Sequence, residues 1–127
     1  MKKLWLALVV TLAGSAYAGQ HMGIGGEVTV NGTVAQGSLS GAYNSADTTQ
    51  QIGCMLYGTP GSPAYAVCWA TDAKNVHMYC ESDDPAVVQA AATVSNASYL
   101  IFIRDKAGQC LSVSAYGDST TDLKRPQ

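Results

Sequence analysis

The chain has 127 residues, 47% of them apolar and only 13% charged, with a formal net charge of −2. That balance offers no basic surface for nucleic acid or an anionic membrane, and the length suits a single domain of modest core. Frequent Gly, Ser, Thr and Ala with few charges point to a β-rich protein with short turns.

Residues 1–18 read MKKLWLALVVTLAGSAYA. Lys2 and Lys3 precede an apolar run from Leu4 to Leu12, and Ala16-Tyr17-Ala18 carries small residues where a signal peptidase cuts. The run is too short to span a bilayer, so it reads as a Sec-type export signal, with periplasm or medium as the destination. No cysteine follows the small-residue site, which argues against a lipoprotein. Cleavage after Ala18 leaves 109 of the 127 residues. Without Lys2 and Lys3, five of the seven basic residues remain against nine acidic ones, a balance of −4.

The new terminus would be Gly19-Gln20-His21. A free amine, two backbone amides and a third-position imidazole supply four nitrogens for square-planar Cu(II) or Ni(II). A one-residue shift in cleavage removes that site, and the competing reading is a chance histidine in a glycine-rich lead-in over residues 19–26.

A stapled domain is expected over residues 27–116, followed by a polar tail over 117–127. Glu27 to Ala35 alternates in strand fashion around an Asn31-Gly32 turn signal. Gly37 to Ala42 reads as a second short strand, and Asn44 to Gln51 as a polar loop. Gln51–Tyr57, Tyr65–Thr71 and Val76–Glu81 read as strands, with a Gly- and Pro-rich loop from Gly58 to Pro63. Asp72-Ala73-Lys74-Asn75 fits a hairpin turn with Asn75 in the left-handed position. That turn sets 72 opposite 76, 70 opposite 78 and 68 opposite 80, so Ala66, Cys68, Ala70, Val76, Met78 and Cys80 share one face. Asp83-Asp84-Pro85 is a helix start, with Val87, Val88, Ala91 and Val94 at helical spacing over about residues 85–95. Tyr99 to Ile103 is a continuous apolar run, expected to be a strand buried on both faces. Asp105 to Gly108 repeats the hairpin pattern before a last strand from Gln109 to Tyr116.

The fold class is therefore α+β and mainly β: an antiparallel sheet of about five to seven strands with one packed helix, or a small β-sandwich. Four cysteines, Cys54, Cys68, Cys80 and Cys110, in a short exported chain imply two disulfides. With Cys54, Cys68 and Cys80 on one face, the pairing Cys68–Cys80 with Cys54–Cys110 is expected, and Cys54–Cys68 with Cys80–Cys110 is the alternative. The spacings contain no C-x2-C, so a zinc site has no support.

If Cys54–Tyr57 pairs with Tyr65–Cys68, then Tyr57, Tyr65, Trp69 and Tyr79 lie on one side, with Met55 and His77 near them. Rings in a row suit sugar stacking or a protein partner. The same rings become core if the helix lies on them, and the helix needs an apolar surface, so cover is the expectation. Glu81, Asp83 and Asp84 could serve hydrolysis, but capping and the helix dipole account for Asp83 and Asp84 without chemistry. His21 and His77 are the only histidines, and no triad, phosphate loop or HExxH stands out. Asn31-Gly32-Thr33 and Asn96-Ala97-Ser98 match a glycosylation sequon and read as polar turns.

Ile52-Gly53-Cys54, Cys68, Ala73-Lys74 turning toward Cys80, Asp84-Pro85 and Gly108-Gln109-Cys110 together resemble a loose group of small, uncharacterised exported bacterial proteins with four cysteines, over about residues 38–116. The resemblance supports a stapled domain and implies no activity. The expected function is that of an exported, non-catalytic binding or surface-structure protein, its partner an unknown protein or glycan. The alternatives are a carbohydrate-binding module using the aromatic face, and an inhibitor of a secreted hydrolase acting through the Gly58–Pro63 loop.

Overall fold

A computed structural model describes residues 26–117. The expected leader and the Gly19-Gln20-His21 motif lie outside the described residues.

The fold is mainly β, with seven strands and two helices among the described residues. The strands divide into two antiparallel sheets rather than one. The first contains β1 (Thr29–Asn31), β2 (Val34–Ser38), β6 (Tyr99–Arg104) and β7 (Cys110–Tyr116), in that order. The second contains β3 (Gln51–Tyr57), β4 (Tyr65–Thr71) and β5 (His77–Ser82). Both contribute to one core: Ala35, Leu100, Phe102 and Val113 from the first, Ile52, Ala66, Cys68, Ala70, Met78 and Cys80 from the second.

The two expected turns are built alike. Asp72 Oδ1 accepts from the Lys74 and Val76 amides, and Asn75 takes φ 64°. Asp105 Oδ1 accepts from the Ala107 and Gln109 amides, and Gly108 takes φ 89°. An Asp that ties its own backbone two and four residues on, followed by a residue that tolerates a left-handed backbone, sets the hairpin register locally. The expected pairs Cys68 with Cys80 and Ala70 with Met78 are observed.

Three expected elements differ. The strand over Gly37–Ala42 ends at Ser38, and α1 (Leu39–Tyr43) follows. The Ser38 hydroxyl accepts from the Gly41 amide as an N-cap, and the missing side chain of Gly41 lets the Gly26 backbone cross against the helix. The main helix, α2 (Pro85–Ala91), is shorter than 85–95. Asp84 caps it as expected, accepting from the Ala86 amide. Its last turn tightens: the Thr93 and Val94 amides reach back only three residues, and the Thr93 hydroxyl donates to the Ala90 carbonyl. The apolar run of β6 is not buried on both faces. Leu100 and Phe102 point into the core, while on the outer side Tyr99 is buried against Tyr116 and Ile101 and Ile103 are only half-buried.

The disulfides are Cys54–Cys68 and Cys80–Cys110, not Cys68–Cys80 with Cys54–Cys110. The register explains the correction. A residue in an antiparallel strand turns its N–H and C=O toward one neighbour, so it forms a wide, hydrogen-bonded pair there and a narrow pair with the other. The Asp72 amide donates to the Val76 carbonyl, and counting back by twos makes Cys68–Cys80 a wide pair. Cys68 therefore faces Cys54 across the narrow pair, with Cα atoms 4.0 Å apart. Cys80 finds Cys110 because the sheets meet there: the Glu81 amide donates to the Gly108 carbonyl. A bulge in β7 makes this compatible with core packing. Arg104 pairs with Cys110 but Ile103 pairs with Ser112. The extra residue, Leu111, is thrown outward, and Cys110 and Val113 both point inward despite their odd spacing.

Helix α2 packs against β7, β4 and β3, and its Val87, Val88 and Ala91 join the shared core. It bridges the two sheets and does not lie on the aromatic side of the second one.

Candidate functional site

Pairing across β3, β4 and β5 sorts their side chains into two faces. Ile52, Ala66, Ala70 and Met78 line the inner face with the cysteines. The outer face runs in four rows across the strands. Gln51, Thr71 and His77 form the first, Gly53, Trp69 and Tyr79 the second. Met55, Val67 and Glu81 form the third, and Tyr57 with Tyr65 the fourth.

This outer face is open among the described residues. Tyr79 is 58% exposed, Tyr57 and Tyr65 are each 40% exposed and Met55 is 42% exposed. The expectation that the helix would cover these rings is overturned, because α2 finds its apolar seat in the seam between the sheets. The same-side placement of Tyr57, Tyr65, Trp69, His77 and Tyr79 is observed.

Each row has its own geometry. The rings of Tyr57 and Tyr65 stack on one another, with centroids 4.8 Å apart and planes 15° apart. They clamp the base of the Gly58–Pro63 loop, which is wholly exposed. Trp69 is arranged differently. Its partner on β3 is Gly53, and a Cβ built on Gly53 would stand 3.4 Å from the indole. The indole thus lies over a bare stretch of backbone, half-buried on the sheet surface.

The first row is a hydrogen-bonded chain. Gln51 Nε2 donates to Thr71 Oγ1 at 3.1 Å, and Thr71 Oγ1 lies 2.9 Å from His77 Nδ1. The Thr71 hydroxyl keeps its proton and a second lone pair beside Nδ1, so it pairs with either neutral tautomer of the ring, and Nε2 is the His77 nitrogen left at the outer end of the chain. Gln51 Oε1 stands at the other end as an acceptor.

The carboxylates Glu81, Asp83 and Asp84 do not form a catalytic set. Asp84 is spent on the helix cap. Glu81 and Asp83 are exposed and line a shallow groove of about 420 Å³ with Pro63, Tyr65, Ser82 and Gln109. Among the described residues no three His, Cys, Asp or Glu side chains gather as metal ligands, and every buried side-chain N or O has a hydrogen-bond partner. No described helix is long and apolar enough to cross a membrane. The two sequons fall in turns around Gly32 and Asn96.

A second groove, of about 610 Å³, lies between α1 and the start of β3, lined by residues including Leu39, Tyr43, Gln50 and Ile52. Nothing in the sequence marks it, because α1 occupies a segment whose residues read as a strand. Beside it, Asp47 accepts from the Thr49 and Gln50 amides and from Gln50 Nε2. Gln50 Oε1 in turn accepts from the Val28 amide. The Gln50 side chain foremost, with these amides, holds the Asp47 carboxyl at about 2, below its usual 3.8.

No family model matches the chain, and no curated protein or solved structure matches it.

Proposed function

We propose that the protein is an exported, non-catalytic binding protein and that the outer face of β3–β5 is its recognition surface. One observation carries this reading: Trp69, Tyr79, Tyr57 and Tyr65 sit together on a sheet face that nothing described covers, in a chain with an alternative apolar seat for its helix. Uncovered aromatics on a rigid sheet bind with little ordering cost. The two disulfides support an oxidising compartment, in keeping with the leader-like residues 1–18. The hydrolase-inhibitor reading draws on a different feature, the exposed Gly58–Pro63 loop, whose base is held by the tyrosine stack and the Cys54–Cys68 bond.

The exported form starting at Gly19 contains Trp69 as its single tryptophan. Labelled there with fluorotryptophan, it can be followed by fluorine NMR in extracts of its native compartment. A shift of the Trp69 signal, absent in Tyr79→Ser, is the expected result. An unchanged signal, with hydrolase inhibition lost on replacing the Gly58–Pro63 loop, would move the function to that loop.

A further inference from the structure

We propose that the ligand of this face is a neutral oligosaccharide, laid along the strands with one sugar ring on the Trp69 indole and its hydroxyls on His77 and Gln51. The proposal rests on the binding-face reading above and names the ligand class.

The shape of the face argues for a chain-like ligand. Rows on one face of a strand recur every two residues, so at about 3.3 Å per residue the His77 row and the Tyr57 row lie about 20 Å apart. Three strands at about 4.8 Å spacing make the track about 14 Å wide. A narrow track of this length fits several linked sugar rings.

Ring presentation supports the same conclusion. A sugar's C–H face packs against the flat face of an aromatic ring, not its edge. The stacked Tyr57 and Tyr65 cover one another's inner faces. Trp69 is the ring with room to lie down, because Gly53 leaves nothing beneath it but backbone. Tyr79 stands directly across from it on β5.

The polar groups match hydroxyls. A hydroxyl both donates and accepts, and neighbouring hydroxyls on a pyranose want a donor and an acceptor side by side. The Gln51–Thr71–His77 chain ends, one row from the indole, in two polar atoms it does not itself use: Nε2 of His77 and Oε1 of Gln51. A chain of bonds strengthens each of its ends.

Charge selects the neutral class. The face holds no Lys or Arg, and its far end carries Glu81, with Asp83 in the adjoining groove. Lys74 lies in the turn beyond the His77 row, and Arg104 is engaged with the Tyr79 carbonyl at the sheet edge. Within the four rows an anionic glycan or a nucleic acid would meet the Glu81 carboxylate and no Lys or Arg, with Arg104 and Lys74 confined to the borders.

The test uses the fluorescence of Trp69 in the exported form, titrated with soluble cello-, xylo-, manno-, malto- and chito-oligosaccharides and with an anionic oligouronate. A saturable change with at least one neutral series and none with the uronate is expected. Trp69→Ala, read by calorimetry, should weaken binding about tenfold, and Trp69→Phe by less. His77→Ala and Gln51→Ala should each weaken it about fivefold. Leu111→Ser, on the other sheet, should leave it unchanged. Binding of the uronate alone, or saccharide binding that survives Trp69→Ala in a folded protein, overturns the proposal. If no saccharide binds while a protein of the native compartment shifts the Trp69 fluorine signal, the glycan class fails and the binding face stands. If neither occurs, both fall.

Discussion

The two sheets turn very different outer faces to their surroundings. On the four-stranded sheet, half-buried Val34, Ile101 and Ile103 lie among Thr29, Gln36, Ser112 and Ser114, and buried Tyr99 packs against Tyr116 at one end. On the three-stranded sheet Tyr57, Tyr65 and Tyr79 stand exposed, with Gln51, Thr71 and His77 in the end row and Glu81 in the third. Half-buried apolar residues on a solvated face are ordinary, and exposed tyrosines gathered on one face are the less usual arrangement.

The contrast can be broken at its foundation. Phe102, fully buried, lies in the core that both sheets share. Phe102→Ala should cost about 3–5 kcal/mol, seen as a large fall in the urea midpoint. Next comes the tie between the sheets. Replacing Cys80 and Cys110, 30 residues apart, should cost about 3.5 kcal/mol, and replacing Cys54 and Cys68, 14 apart, about 3 kcal/mol. A double removal tests whether the losses add.

The outer faces themselves should respond weakly in stability and differently in binding. Tyr79→Ser should shift stability by no more than about 0.5 kcal/mol, as for other exposed positions. It should nevertheless impair ligand binding, while Ile103→Thr on the opposite sheet should leave binding intact. A Tyr79→Ser variant that unfolds would mean that this face is covered in the folded protein. The smallest effect belongs to Asp47. Its carboxyl is held at about 2, so the bonds it makes contribute fully above the usual 3.8 and are lost as pH falls through about 2. The Thr49 and Gln50 amide signals should titrate there, and should not in Asp47→Asn.

Hairpin geometry was readable in the sequence to the residue, because Asp72-Ala73-Lys74-Asn75 and Asp105-Lys106-Ala107-Gly108 set their register through local bonds. The same-side placement of Tyr57, Tyr65, Trp69 and Tyr79 followed from that register. The disulfide pairing was also implied by it, through the alternation of wide and narrow pairs: a shared face leaves the partner open, and the cross-strand distance decides it. Two features were not readable. The bulge at Leu111 has no local signature, since β7 reads as a plain strand. The exposure of the aromatic face depends on where α2 docks, and that is decided by the seam between two sheets whose division no short segment announces.

The connectivity of the cysteines has a consequence for how the protein matures. First joins second and third joins fourth, so the two covalent loops are consecutive and never overlap. If the chain is exported N-terminus first, as proposed, Cys54, Cys68 and Cys80 emerge in turn at similar intervals and Cys110 last. An oxidase that joins each thiol to the next one to arrive produces the native set with no reshuffling. Under that order Cys80, directly opposite Cys68 on the neighbouring strand, is left for Cys110.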